Sequence, residues 1–379
     1  MNLAEYRLFS VAYVLGCYIL SLLFVKFRLT RKQSQIIVFL LIIIYSVISA
    51  NRPFLSPDTS TYIRAFDESL LIANNLHING ISDIFFNRKY YSMEMPFILL
   101  MALFNKLSIS RQAFFGTICF ITSVTTISGL HLCEKYIGED IKDNESDKPV
   151  DIPMWYLYMS LCGILYLSTA IRAGLCIGLG LCAFGLVINH RRPLLAGLLL
   201  AIAIMFHSIG ILFVFVYAAF VVAPTFIRKK HCVICVGLST LGYSVGIGTV
   251  TSILLIKTAR AVFSLMGIDA FSSYTYTLIF SFKLKVLFYI VGVGILLILS
   301  YKNNHNNSKM AFLVIIGIMI FSFASEITSI HRISDYFILY LIPIMGYSVV
   351  EENAGINYVT LSLAGSIMIF VSQYMMIFG

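Results

Sequence analysis

Charge is scarce in this sequence. Asp, Glu, Lys and Arg make up 12% of its 379 residues, while hydrophobic residues make up 59%. A water-solvated fold carries roughly twice that share of charge, so a soluble globular domain is excluded. A metal framework is also lacking. The eight cysteines form no ligand set, and the CxxC pair Cys232 and Cys235 lies inside the apolar run CVICVGLSTLGYSVGIG, where free thiols pack as small hydrophobes. The acidic residues singled out below do not form a paired motif of the DxD kind. No metal or other cofactor is therefore expected. The N-terminal stretch MNLAEYRLFSVAYVLGCYILSLLFVKFR carries Glu5 ahead of its apolar part and no small-residue cleavage site after it, so it reads as a retained span, not a signal peptide. Internal repeats of the kind many transporters carry are not evident.

What the sequence does contain is a long series of apolar runs. A helical span needs about 20 mostly apolar residues, and such runs lie near 8–25, 34–50, 112–131, 154–170, 173–189, 193–206, 209–226, 232–255, 286–301, 310–325, 336–350 and 357–376. They predict an all-α, polytopic helical membrane protein of about twelve transmembrane helices, with residues 1–379 as a single integral membrane domain. The short loops KFRLTRK (26–32), HRR (190–192), RKK (228–230) and YKNNHNNSK (301–309) are basic or polar and are placed in the cytoplasm. The net charge of +9 is read as anchoring against anionic lipid head groups, not as a sign of nucleic acid. The run MPFILLMALF (95–104) is too short to cross and is read as an interfacial helix. Were it a span, every later basic loop would face outside. Residues 51–110 then form a long external loop that ends in this helix, and the acidic stretch 132–153 is a cytoplasmic polar loop to which no chemistry is assigned.

With this orientation the few ionisable residues gather on the external side. They are Arg52, Asp58, Tyr62 and Arg64 in NRPFLSPDTSTYIRAF, Glu94 in SMEMPF, Arg172 in STAIRAGLC, His207 in AIMFHSIG, and Glu326, His331, Arg332 and Asp335 in SEITSIHRISDYF. Each has a structural reading. Arg172 could snorkel at a span end, His207 could donate to a backbone carbonyl, and Asp58 or Ser56 could cap a helix opening at TSTYIRAF. Several arginines on the side that usually lacks them point instead to a multivalent anion, because the planar guanidinium fork matches phosphate oxygens and cannot lose its charge. Asp58 and Glu94 are rival candidates for a general base.

The order of these motifs resembles the EpsG-like family of bacterial polysaccharide polymerases, close in role to the Wzy O-antigen polymerases. The family's Arg followed by Asp-x-x-x-Tyr after the second span is matched by Arg52, Asp58 and Tyr62 in RPFLSPDTSTY. Its acidic residue before a short apolar helix is matched by Glu94 in EMPFILLMALFNKLSIS, and its span opening with Arg-Gln by Arg172, with Ala173 in place of Gln. A His near the outer end of the next span corresponds to His207, and a late Arg before Tyr-Phe to Arg332 in HRISDYF. The matches are sparse points between residues 34 and 350. The resemblance implies transfer of a growing glycan from undecaprenyl diphosphate onto an incoming lipid-linked repeat unit, at the external face of the bacterial inner membrane. It implies a GT-C-like glycosyltransferase architecture. Arg52, Tyr62, Arg64, Arg172, His207, His331 and Arg332 would hold diphosphate or glycan, with Asp58 or Glu94 as the base. The implied partners are the lipid-linked oligosaccharide, membrane lipids and a protein that sets chain length. A lipid-linked oligosaccharide flippase, or another lipid-glycan transferase such as a ligase, would need similar arginines. A flippase would spread its charges along a cavity reaching both faces.

The topology makes a direct expectation. Single cysteines at positions 75 and 265 should react with an impermeant thiol reagent from outside, and one at position 143 only after permeabilisation. External labelling at both 143 and 230 would show that residues 95–104 cross the membrane.

Overall fold

The computed structural model describes residues 1–27, 30–53, 57–75, 93–138, 150–265, 283–302, 304–324, 330–350 and 370–371. Among them all regular structure is helical. In chain order the helices are α1 (Leu3–Phe27), α2 (Arg31–Ala50), α3 (Pro57–Asn74), α4 (Met95–Lys106), α5 (Arg111–Gly138), α6 (Asp151–Tyr158), α7 (Ile171–Ile188), α8 (Pro193–Phe206), α9 (Leu212–Val222), α10 (Lys229–Ser244), α11 (Ile247–Leu265), α12 (Leu284–Ser300), α13 (His305–Phe323), α14 (Ile330–Ile338) and α15 (Leu341–Val350). Local chemistry sets some boundaries. Thr30 and Gln33 form a reciprocal capping box at the start of α2, which satisfies two donors that would otherwise be orphaned.

The protein is a multi-pass membrane protein. Among the described residues five helices are long and apolar enough to cross, namely Leu3–Leu23, α2, α5, α7 and α13. Lys229–Ser244 with Ile247–Leu254 makes a sixth if counted as one span, although the pair is bent by 86°. The reading of about twelve spans is therefore met only in part, and among the described residues the reasons are local. The run 232–255 turns at Gly246, whose φ of 75° suits a residue without a Cβ. The run 154–170 continues α6 as two π-helical turns, Met159–Gly163 and Leu165–Thr169. The run 336–350 is divided between α14 and α15. Helix α8 has 14 residues, rising about 21 Å against a hydrocarbon core of about 30 Å. The run 357–376 lies outside the described residues, apart from 370–371.

Most of the described residues of the segment read as a long external loop are helical. The segment holds α3, which opens near the predicted cap, and α4, which covers the run 95–104. Of the acidic stretch 132–153, residues up to Gly138 extend α5 and Asp151 begins α6.

Helix α7 sits at the centre, buried on nearly every side. It packs against α5 through small residues that allow close backbone approach, as membrane helix pairs do. A Cβ on Gly129 would lie 2.6 Å from the carbonyl carbon of Leu181, and one on Gly178 would lie 3.0 Å from the carbonyl oxygen of Thr122. Cys182 donates to the carbonyl of Thr125 at 2.9 Å across the same seam. Leu194, Val222 and Val245 point outward from the helices further along the chain, at 90%, 75% and 68% exposure, as lipid-facing side chains do.

This seam sets an expectation. Gly129→Ala should lower the thermal midpoint in detergent, since overpacking typically costs about 1–3 kcal/mol. Gly197→Ala, where a Cβ meets nothing within 4 Å, should leave the midpoint unchanged or raise it. Equal midpoints for the two variants would show that the α5–α7 seam is not the tight contact described.

Candidate functional site

Rings gather the elements of the site. Phe114, in the first turns of α5, packs against Phe66 of α3 and against Phe97 and Phe104 of α4, with centroids 5.1–5.9 Å apart. Phe97 also meets Tyr62 of α3 at 6.1 Å and Phe206, the last residue of α8, at 6.3 Å. Asn105 ties α4 to α3 by donating to the carbonyl of Phe66 at 3.1 Å. This aromatic knot brings together Tyr62, Glu94 just before α4, and His207 just after α8.

At His207 the chain breaks. The residue is extended, with φ −155° and ψ 114°, and a single 3-10 turn, Ser208–Ile211, leads into α9. The first N–H groups of such a turn have no partner within the helix. The N–H of Ser208 donates instead to Oε1 of Glu94 at 3.1 Å, and its hydroxyl lies 3.2 Å from the same oxygen. His207 donates from Nδ1 to Oε1 at 2.9 Å. Arg172, in the first turn of α7, closes the other side with an ion pair to Oε2. The Glu94 side chain has no exposed surface. Burial alone would push its carboxyl up, but His207, Arg172 and the Ser208 N–H outweigh that and hold it well below the usual carboxylate range. Glu94 is thus a fixed, dry negative charge.

The Arg172 side chain is 15% exposed. Its Nε donates to the Tyr62 hydroxyl at 3.3 Å, and its guanidinium lies 5.6 Å from the Tyr62 ring centroid. The second carboxylate, Asp58 in the first turn of α3, pairs with Arg332 of α14 at 3.2 Å. That pair is far more open, at 43% and 35% exposure. Asp58 also lies within electrostatic range of Arg172, so the open pair and the dry cluster belong to one region.

Arg52 stands behind this region. The two π-helical turns end at Thr169, leaving carbonyls without helical partners. Ser49 donates to the carbonyl of Leu167 at 2.7 Å, and Nη1 of Arg52 to that of Ser168 at 2.9 Å. A cation at a helix C-terminus is favoured by the helix dipole as well. The guanidinium stacks on Phe115 at 3.9 Å, and its Nε and Nη2 are buried without a hydrogen-bond partner. Burial pulls Arg52 down to about 10, so it stays charged at neutral pH.

Of the residues singled out in the sequence, Tyr62, Glu94, Arg172 and His207 form one cluster, with Asp58 and Arg332 beside it. Arg52 is bound into the bundle. Arg64 is exposed on α3 and is not drawn into the cluster formed by the described residues. His331 sits in the first turn of α14 with its side chain outside the described set, and Glu326 lies outside the described residues. Ser208 escaped notice in the sequence. Its only signal was a Ser following a His where an apolar run is interrupted. Among the described residues no three His, Cys, Asp or Glu side chains converge as a metal would require.

The EpsG family model matches residues 35–378, nearly the whole chain. No curated protein and no solved structure matches.

The environment of Glu94 predicts a definite pH dependence. Because its folded pKa is depressed, its stabilising contribution is complete above the ordinary carboxylate value of about 4.3 and is lost as pH falls through the lower folded value. Glu94→Gln should be less stable than wild type by about 3–5 kcal/mol, as for a broken buried pair. The gap in thermal midpoint should not narrow between about pH 8 and pH 5 and should close only below about pH 4. A gap that already closes between pH 7 and pH 5 would mean that Glu94 titrates as a raised carboxyl.

Proposed function

The chain belongs to the EpsG family, and on that premise we propose that it is a polysaccharide polymerase. In this reading it is a glycosyltransferase that moves a growing glycan from undecaprenyl diphosphate onto the terminal hydroxyl of an incoming lipid-linked repeat unit. The observation that carries the proposal is the open pair of Asp58 and Arg332, with Asp58 one turn along α3 from Tyr62, whose hydroxyl accepts from Arg172. It combines an accessible carboxylate with two guanidinium forks at one end of an apolar bundle. Amphiphilic substrates with a diphosphate at the membrane surface call for that combination.

The two carboxylates then take different parts. Asp58 accepts the proton of the acceptor hydroxyl, whose oxygen attacks the anomeric carbon. The bond from that carbon to the diphosphate breaks, and Arg172 and Arg332 neutralise the charge on the departing lipid diphosphate. Glu94 has no exposed surface and does not reach substrate. It holds Arg172 and His207 in place; His207 lines the region where diphosphate and sugar meet, and the buried Tyr62 backs Arg172 through its hydroxyl. Arg52 supports the site from within the bundle.

The proposed setting is the bacterial inner membrane, with this end facing the periplasm or exterior. The far end of α7, one helix length of 18 residues away, is followed by Arg191 and Arg192, which suits a cytoplasmic loop. The reading carries with it a GT-C-like architecture and the partners such a reaction implies, a lipid-linked oligosaccharide and a protein that sets chain length.

The test is polymer formation from purified lipid-linked repeat units. Asp58→Asn keeps the shape but cannot take a proton, and should lower the rate by about 10²–10⁴-fold with substrate binding intact. Arg172→Lys and Arg332→Lys keep the charge but lose the planar fork, and polymer yield should fall sharply in both. An Asp58→Asn enzyme that polymerises normally would remove the base assignment. A deletion strain that loses all surface glycan, without retaining single repeat units, would point to a flippase or ligase.

A further inference from the structure

We propose that Asp335 is a positioning residue: its carboxylate, clamped between two tyrosines from other helices, orients α14 so that Arg332 meets Asp58. Asp335 is only 2% exposed. Tyr166, on the second π-helical turn, donates to its Oδ2 at 2.7 Å, and Tyr289 of α12 donates to its Oδ1 at 3.3 Å. Arg332 lies three residues earlier on the same helix, one turn away on the same face. The rotation of α14 about its axis therefore decides whether Arg332 points at Asp58 or past it. Each oxygen of Asp335 is tied to a different element, so the pair of bonds fixes that rotation in a way one contact would not.

The neighbouring residue makes the same kind of tie. Tyr336 is fully buried, packs on Phe213 of α9 at 5.2 Å, and donates to Sγ of Cys176 on α7 at 3.6 Å. Cys176 in turn lies 3.8 Å from the carbonyl oxygen of His207. Helix α14 is thus held by polar contacts to the π-helical segment, α12 and α7. Tyr289 is itself braced against Phe321 of α13, with ring centroids 4.7 Å apart.

Stability alone does not account for this carboxylate. Removing a charge from water is expensive, and an apolar side chain of similar volume commonly packs a core as well or better. A buried carboxylate whose partners are directional fits a role in fixing orientation. The π-helical turns fit the same role. Each inserts one extra residue, and together they let one segment present Tyr166 to Asp335 and the Ser168 carbonyl to Arg52.

The activity arm of the test rests on the proposed polymerase reading, whereas the proximity arm does not. In the activity arm, Asp335→Asn should lower polymer formation about ten-fold, and combining it with Arg332→Ala should be no worse than Arg332→Ala alone, since the two act through one interaction. The kinetic parameter altered, kcat or KM, should be the same for both single variants. In the proximity arm, Asp58→Cys and Arg332→Cys are joined by a short bifunctional thiol reagent, with the native cysteines, which are buried or half-buried, left in place. Adding Asp335→Asn should reduce the 58–332 cross-link, and Tyr166→Phe or Tyr289→Phe should reduce it without removing a ring from the core. These two Phe variants serve if Asp335→Asn fails to fold. Additive losses of activity, or an unchanged cross-link in the Asp335 and tyrosine variants, would overturn the proposal. If wild type forms no polymer, the cross-link alone decides the positioning role, and the polymerase reading fails separately.

Discussion

A carboxylate with no exposed surface inside an apolar bundle has to be surrounded by donors, and Glu94 imposes that requirement on four parts of the chain at once. It recruits Arg172 from the start of α7 and His207 from the end of α8, and it takes the backbone N–H of Ser208 from the break before α9. An unpaired buried charge would be costly enough to unfold a marginal bundle. The positions of α4, α7, α8 and α9 at this end therefore depend on one another through a single side chain. The aromatic knot around Phe114 and Phe97 supplies the apolar half of the same constraint. It packs α3, α4, α5 and the end of α8 together next to Glu94, and such apolar surroundings strengthen a charge-assisted bond.

The rest of the polar interior follows the same rule with different partners. In a chain with so little charge, buried polar groups must be satisfied by neighbouring helices, because lipid supplies no hydrogen bonds. The carbonyls freed where the π-helical segment ends are taken by Ser49 and Arg52, and Ser168 itself bonds Tyr6 and, at 3.1 Å, Tyr45. On the other side, the same segment sends Tyr166 to Asp335. The π-helical turns thus lie between two sets of polar partners, Arg52 and Ser49 on one side and Asp335 on the other.

Much of this was legible in the sequence, because scarcity makes each charge informative. Arg172, Glu94, His207, Asp58, Tyr62 and Arg332 stood out against long apolar runs, and the structure gathers them at one end of the bundle. The helix over 95–104 and the helix opening at TSTYIRAF were legible for the same reason. The irregular elements were not. Hydropathy reads the π-helical turns at 159–169 and the bend at Gly246 as unbroken spans, because every residue there is apolar or small and periodicity carries no record of a changed hydrogen-bond register. Exposure was not legible either. Arg52 and Arg64 read alike in NRPFLSPDTSTYIR, yet one caps a carbonyl inside the bundle and the other faces outward. Arg52 follows the end of α2 beside the π-helical segment, whereas Arg64 lies on an exposed side of α3, and local sequence encodes neither placement.

The division between the two carboxylates is the last consequence of the same physics. Both lie beside an arginine, and in the sequence both qualified as a base. A base must meet its proton donor and must be able to accept the proton. Glu94 meets neither condition, since its surface is covered and its partners stabilise only the ionised form. Asp58 keeps 43% of its side chain exposed and is bound at one oxygen by a partner that is itself accessible. In the proposed reaction a diphosphate that draws Arg332 towards itself would also loosen its hold on Asp58. The donor's arrival and the freeing of the base would then be one event. Such coupling requires Arg332 to sit between the two anions, which is why the rotation of α14, and the buried carboxylate that sets it, bears on the chemistry although Asp335 touches no substrate.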